Sequence, residues 1–393
     1  MNILMISPGR LPIPSFRGGA VEGLIECLIE YNDRCLHHKI DLVTIDEEMM
    51  YRASIIPPDL YDDTEFLNVP VGKLFKMVTD KHLVPYRFLD YIYTKQAIRM
   101  VKRQKRKYDC IVIQNELVNG RIMKAAIPGR YIYHAHNETR CDEKDVSFLR
   151  ECDMVITVSD FLNRCFSEAA EGIETVTVHN GINTDFFSLE RCEEIRNQLR
   201  EKYGIAEDET VVIFAGRLVT EKGIEELIRA FMMIPDEKKI RLLIAGGSFF
   251  ENSGENAFTR KLKKLCEEKK ERITFLGYVS GGKMPEYYAM ADIGCVPSMW
   301  DEPFGLTVAE QMAMELPIVA TRVGAIPEIV DETCGILVDR NENISKQIAQ
   351  AILQLAENKE KRVQMGKRGR QIVCERFTVD RFCSEWFSAI TRR

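Results

Sequence analysis

The chain has 393 residues, 45% hydrophobic and 29% charged, with a formal net charge of -6. That length exceeds one compact core of usual size and implies two domains. The balance excludes a disordered or fibrous chain, and the negative sign excludes bulk nucleic-acid binding, so no nucleic-acid partner is expected.

No apolar run approaches the ~18 residues that span a bilayer. The opening "MNILMISPGRLPIPS" lacks a basic start and breaks at Pro8-Gly9, so it reads as a strand and turn, not a signal peptide. The twelve cysteines include no Cys-x-x-Cys pair, and a reduced, cytoplasmic protein is expected.

Strands are predicted at Asn2–Ser7, Ile40–Ile45, Cys110–Gln114, Tyr131–Ala135, Met154–Val158 and Thr175–His179. A second set follows at Thr210–Ala215, Ile240–Ala245, Ile273–Leu276, Ile293–Val296, Ile318–Ala320 and Gly335–Val338. Amphipathic helical segments such as "AVEGLIECLIEYN" and "GIEELIRAFMMI" fill the gaps, which implies α/β domains with covered parallel sheets. Both halves open as strand, glycine-containing loop, helix. Two Rossmann-like domains are therefore expected, 1–186 and 187–376, with ligands beyond the carboxyl ends of the strands and in the cleft between them.

In chain order, the first candidate site is Gly18-Gly19 in "SFRGGAVEG", directly before a helix. It is a backbone approach to a ligand or simply a structural turn. "YHAHNET" ends a strand with two histidines expected on opposite faces: His134 packed, His136 at the lip as hydrogen-bond donor or base. "IRMVKRQKRKYD" crowds Arg99, Lys102, Arg103, Lys105, Arg106 and Lys107 at a helix end. It is a solvated terminus or a patch for anionic lipid or a phosphorylated acceptor.

In the second half, Arg217 and Lys222 of "FAGRLVTEKG" flank a loop where two cations can meet a diphosphate. "GYVSGGKM" imitates a P-loop, but Met284 stands where a metal-holding Ser or Thr is needed and Pro285 follows. In "WDEPFGLTVAEQ", Pro303 stops any helix before it, so a helix starts near Gly305. The amides of Gly305, Leu306 and Thr307 then form an anion site. Glu302 stands beside the ligand, and Glu310, two turns in, suits vicinal hydroxyls. Spacing alone leaves Glu310 equally readable as a solvated helix residue.

These motifs, Glu302-x₇-Glu310 within "PSMWDEPFGLTVAEQMAMELPIVATRVGAIPEIV", "FAGRLVTEKG" and "VHNGINTDFF", resemble family 4 retaining glycosyltransferases of the GT-B fold. "RGGAVE", "HAHN" and "ITVSDFL" extend the resemblance to the first half, towards a subgroup with spore-coat and surface-polysaccharide enzymes. The resemblance implies a donor domain at 187–376, an acceptor-side domain at 1–186 and a final helix, 377–393, returning to the first domain. It implies transfer of a sugar from a UDP- or GDP-sugar to a glycan or lipid-linked acceptor with retention, without metal or other cofactor. The implied roles are Glu302 on the donor sugar, Glu310 on the ribose, and Arg217 and Lys222 on the leaving diphosphate. Val279 belongs to the base-side loop, and Phe304, Gly305, Leu306 and Thr307 bind the donor. His136 meets the transferred sugar, and Gly18 and Gly19 meet donor or acceptor. Peripheral contact with the inner face of the cell membrane through 99–107 is the further expectation. The competing readings are a catalytically inactive GT-B scaffold of a coat assembly and a nucleotide-sugar epimerase.

Overall fold

The computed structural model describes residues 1–15, 18–46, 61–70, 86–138, 141–247 and 256–392. Phe16, Arg17 and Thr139, which belong to motifs quoted above, lie outside the described residues. The chain divides into two compact units, Met1–His179 with Phe382–Arg393, and Asn180–Arg381.

The first unit is built on a seven-stranded parallel sheet. Its strands are β1 (Asn2–Ile6), β2 (Lys39–Asp46), β3 (Thr64–Pro70), β4 (Cys110–Gln114), β5 (Tyr131–Ala135), β6 (Met154–Thr157) and β7 (Thr175–Thr177). Their order is β3-β2-β1-β4-β5-β6-β7. Strands β1, β4, β5 and β6 are near-continuous apolar runs because helices cover both faces. The second unit holds six parallel strands: β8 (Thr210–Ala215), β9 (Ile240–Ala245), β10 (Ile273–Gly277), β11 (Ile293–Val296), β12 (Ile318–Thr321) and β13 (Gly335–Val338). Their order is β10-β9-β8-β11-β12-β13. In each sheet the order reverses beside its first strand, and such switch points open a crevice at the carboxyl ends.

Two sequence expectations change. β3 was not foreseen: among the described residues it pairs only with β2, its residues alternate imperfectly between buried and half-buried, and it ends at Pro70, as suits an edge strand. The units part at 179/180 and 381/382, where the sequence reading put 186/187 and 376/377. The cause is local. Ile182 N–H donates to the Phe377 carbonyl at 2.7 Å, and Ile182 bridges Thr378 in parallel, so both connecting segments belong to the second unit.

The last helix, Val379–Thr391, joins the first unit from Phe382 onward. Phe382, Trp386 and Phe387 are buried. Trp386 Nε1–H donates to His134 Nδ1 at 3.2 Å, and Arg130 Nη1 donates to the Ile390 carbonyl at 2.6 Å.

Candidate active site

In the second unit, the loops after β8 and β11, the two strands of the switch point, touch each other. Lys222 from the first loop reaches Glu302 from the second, Nζ to Oε1 at 2.7 Å. Ser298 Oγ–H donates to the same carboxylate oxygen at 2.5 Å. The ammonium also stands 5.1 Å from the centre of the Trp300 ring. Glu302 is only 5% exposed, and a carboxylate so far from water requires partners of this kind.

Two glycines make this approach sterically feasible. Gly223 has φ +67°, and a Cβ there would lie 1.7 Å from the Pro297 carbonyl oxygen. Gly324 has φ +52°, and its Cβ would lie 2.3 Å from the Glu302 carbonyl oxygen. That carbonyl accepts the Ala325 amide at 2.9 Å, and Met299 N–H donates to the Glu221 carbonyl at 2.8 Å. The backbone thus fixes both loops before any ligand arrives.

Past Glu302 the chain turns through Pro303 and buried Phe304, whose ring meets Phe377 edge-on at 5.6 Å. Gly305, at φ +104°, starts the helix Leu306–Ala313. The Val308 and Ala309 amides both turn to the Gly305 carbonyl. The amides of Gly305, Leu306 and Thr307 therefore make the open first turn, where the helix dipole favours an anion. Glu310 is half-buried and accepts a hydrogen bond from Tyr288 OH at 2.9 Å on Oε2. Burial pushes its carboxyl up to about 7, against the pull of the Tyr288 hydrogen bond. Glu310 is therefore neither solvated nor fully paired.

Arg217 is exposed in the loop that carries Lys222. Val279 is half-buried in the loop after β10 and packs on the cluster that includes Tyr288. Lys283 is exposed at the start of the helix Met284–Ala289, with Pro285 in its first turn. Serine 298, Tyr288 and Gly324 were missed by sequence reasoning. The Ser298 hydroxyl and the Tyr288 phenol carry no motif, and Gly324 shows its need for φ > 0 only in three dimensions.

In the first unit His134 and His136 do not face opposite ways. They lie two residues apart, which puts them on one side of an extended chain, and their ring centres are 4.0 Å apart. Both are buried. His136 Nε2 lies 2.8 Å from Gln114 Oε1, and its amide donates to Asn115 Oδ1 at 3.1 Å. Asn115 itself takes φ +63° just after β4. Burial lowers His136 to about 3, and burial together with the neighbouring His136 ring lowers His134 well below its usual range. Of the two roles open to His136, donor or base, this burial favours a neutral ring that hydrogen-bonds.

Gly18 and Gly19 have φ +78° and +112°, and Gly19 caps the helix Ala20–Cys35. A Cβ on Gly19 would lie 2.3 Å from Glu22 Oε2. Glu22 is buried and pushed up to about 7 by burial, its own amide and that of Leu11 pulling the other way. At the ends of β1 and β4, Arg10 pairs with Asp90 at 2.8 Å and stands 3.7 Å from Glu116. No spacing in the sequence signalled that cluster.

Residues 195–372 match the family described as "Glycosyl transferases group 1". Spore coat protein SA of Bacillus subtilis (strain 168) is 26% identical over 384 residues, covering 94% of each chain. The sucrose-phosphate synthase of Thermosynechococcus elongatus superposes with a TM-score of 0.80 at 22% identity, over 99% of this chain and 98% of that one. Anabaena HepE, solved in complex with UDP and glucose, gives a TM-score of 0.75 at 21% identity over the whole of both chains. Together with the two switch-point sheets and the returning last helix, these likenesses show a GT-B fold. The stretch that matches the glycosyl transferases group 1 model, 195–372, lies within the second unit, Asn180–Arg381.

Proposed function

We propose that the chain transfers a sugar from a nucleoside diphosphate sugar to an acceptor hydroxyl, with retention of anomeric configuration and without a divalent metal. The observation that carries the reading is the Lys222–Glu302 pair at 2.7 Å beside a helix start opened by Gly305. Cleavage of the anomeric C–O bond builds negative charge on the diphosphate. Lys222, Arg217 and the amides of Gly305, Leu306 and Thr307 are the groups to stabilise it. Glu302 then holds the sugar and Glu310 the ribose hydroxyls, with Val279 and Phe304 shaping the nucleoside side. The first unit contributes His136, Gly18 and Gly19 as the groups that meet sugar or acceptor.

HepE was solved with UDP, which favours a UDP-sugar here over a GDP-sugar. The reading places the reaction in surface glycan or glycolipid synthesis at the inner face of the cell membrane, on a glycan or lipid-linked acceptor. Its test is a thermal-shift panel of UDP, GDP, ADP, CMP and dTDP in EDTA. One diphosphate nucleotide should respond, saturation at 100 times Kd adding ~2.7 kcal/mol of stability. Silence across the panel overturns the reading.

The likeness to Spore coat protein SA supports one alternative, a coat scaffold without catalysis. An inactive scaffold releases no diphosphate from any nucleotide sugar, whereas the enzyme does so with acceptor present.

A further inference from the structure

The helix Tyr86–Gln104 of the first unit carries an unusual solvent face. Leu89, Tyr93, Ala97, Ile98 and Val101 are buried in the unit, with Thr94 and Asp90 beside them. On the opposite side Phe88 is 55% exposed and Tyr91 48% exposed. Lys95, Arg99, Lys102 and Arg103 are exposed along the same helix. At 100° per residue, all six fall within an arc of about 120°, so they form one stripe roughly 22 Å long. The aromatic pair occupies its N-terminal end and the cations its C-terminal end. Lys95 Nζ lies 5.3 Å from the centre of the Tyr91 ring, where the two sets meet. No acidic residue lies on the stripe, although the chain as a whole carries a net charge of -6.

A solvated helix face needs cations but has no use for a phenylalanine and a tyrosine on the same line. Aromatic rings beside lysines and arginines on an amphipathic helix suit the boundary between headgroups and acyl chains. The cations suit the negative surface of anionic lipid. The basic run itself is not uniform. Arg106 is committed within the unit, paired with Asp41 and, at 2.7 Å, with Glu65.

We infer that Phe88, Tyr91, Lys95, Arg99, Lys102 and Arg103 form a docking face for an anionic bilayer, with the helix lying along its surface. The two rings enter the interface, and the cations hold the headgroups. The inference deepens the reading of a membrane-linked acceptor and is independent of the donor site. It moves the contact from 99–107 to a stripe that begins at Phe88 and leaves Arg106 out.

The test is co-sedimentation of the full chain with vesicles of equal parts phosphatidylcholine and phosphatidylglycerol, and with phosphatidylcholine alone. Wild type should bind only the anionic vesicles. The variant K95Q/R99Q/K102Q/R103Q should bind them at least about tenfold more weakly. F88S/Y91S should lose the part of binding that survives high salt, since screening removes only the electrostatic part. Both variants should keep the wild-type melting temperature and its shift with diphosphate nucleotide, which separates this face from the donor site. Wild type that ignores anionic vesicles overturns the proposal. Binding unchanged in F88S/Y91S, together with equal affinity for the soluble polyanion heparin, overturns it in favour of a polyanion site.

Discussion

Lys222 Nζ and Glu302 Oε1 stand 2.7 Å apart across 80 positions of sequence, and each is the other's charged partner. The glutamate is the more deeply buried of the two, its side chain 6% exposed against 22% for the lysine. Removing the lysine therefore leaves a buried carboxylate without its counter-charge. Lys222→Ala should cost about 3 kcal/mol of stability, and adding Glu302→Gln should recover most of that loss. Melting temperatures of the single and double variants check this; equal losses in both exclude the coupling. Glu302→Gln alone should retain UDP binding and lose roughly a hundredfold in transfer rate.

Glu310 keeps its proton up to about pH 7, against an ordinary value of 4.5. Between those values the folded chain binds more protons than the unfolded chain. The contribution of this group to stability is therefore full below pH ~4.5 and is lost as pH rises through ~7. In the proposed ribose role an ionised carboxylate accepts hydroxyl hydrogen bonds more strongly than the protonated acid, so nucleotide affinity should rise several-fold from about pH 6 to about pH 8. Glu310→Gln should bind more weakly and show a flat profile across that range. Titration calorimetry at three pH values reads both effects.

His136, lowered to about 3 by burial, stays neutral throughout the working range. The transfer rate should therefore show no ionisation near the usual histidine value of about 6.5. Because His136 is proposed to hydrogen-bond the transferred sugar, His136→Phe should lose roughly a hundredfold in rate with nucleotide binding unchanged. A rate profile with a basic limb near pH 6.5 that disappears in His136→Phe would contradict this assignment.

Gly223→Ala should be among the most damaging single-methyl additions in the second unit. Its Cβ would meet the Pro297 carbonyl oxygen at 1.7 Å, and φ is +67°. A backbone carbonyl cannot step aside as a side chain can, so the loop that carries Glu302 must move. A loss above about 2 kcal/mol is expected, together with loss of nucleotide response. Gly281→Ala, where a Cβ meets nothing within 4 Å, is the matched control and should stay within about 0.5 kcal/mol of wild type.

The sequence carried most of the architecture because parallel strands buried on both faces are short apolar runs that stand out between amphipathic helices. Eleven of the twelve expected strands overlap observed ones with ends within a residue or so, for example Cys110–Gln114 and Thr210–Ala215. Thr175–His179 shortens to Thr175–Thr177, where the edge of the sheet leaves it half-buried. Thr64–Pro70 was invisible, since an edge strand has one neighbour and a mixed face. At the candidate site, the helix start at Gly305 and the places of Glu302 and Glu310 beside it were legible from turn chemistry and helix spacing, whereas the Lys222–Glu302 contact, 80 positions apart, was not. Tyr288, Gly324 and Glu22 were not, because their partners come from other elements or from a glycine's missing side chain; Ser298 lies only four residues from Glu302, but a lone serine in a loop carries no motif. The histidine pair shows the limit of pattern reading most plainly: two residues apart in an extended chain are neighbours, and only packing reveals how deeply both are sealed.

The closing helix has a consequence for how the molecule is made. Trp386 anchors the first sheet through His134, yet it is synthesised after the whole of the second unit, Asn180–Arg381. The ribosome therefore delivers the second unit as an uninterrupted block, free to fold as a body, while the earlier sheet waits for its last wall. A nascent chain stalled before Phe382 should hold a protease-resistant second unit and a first unit still open to cleavage.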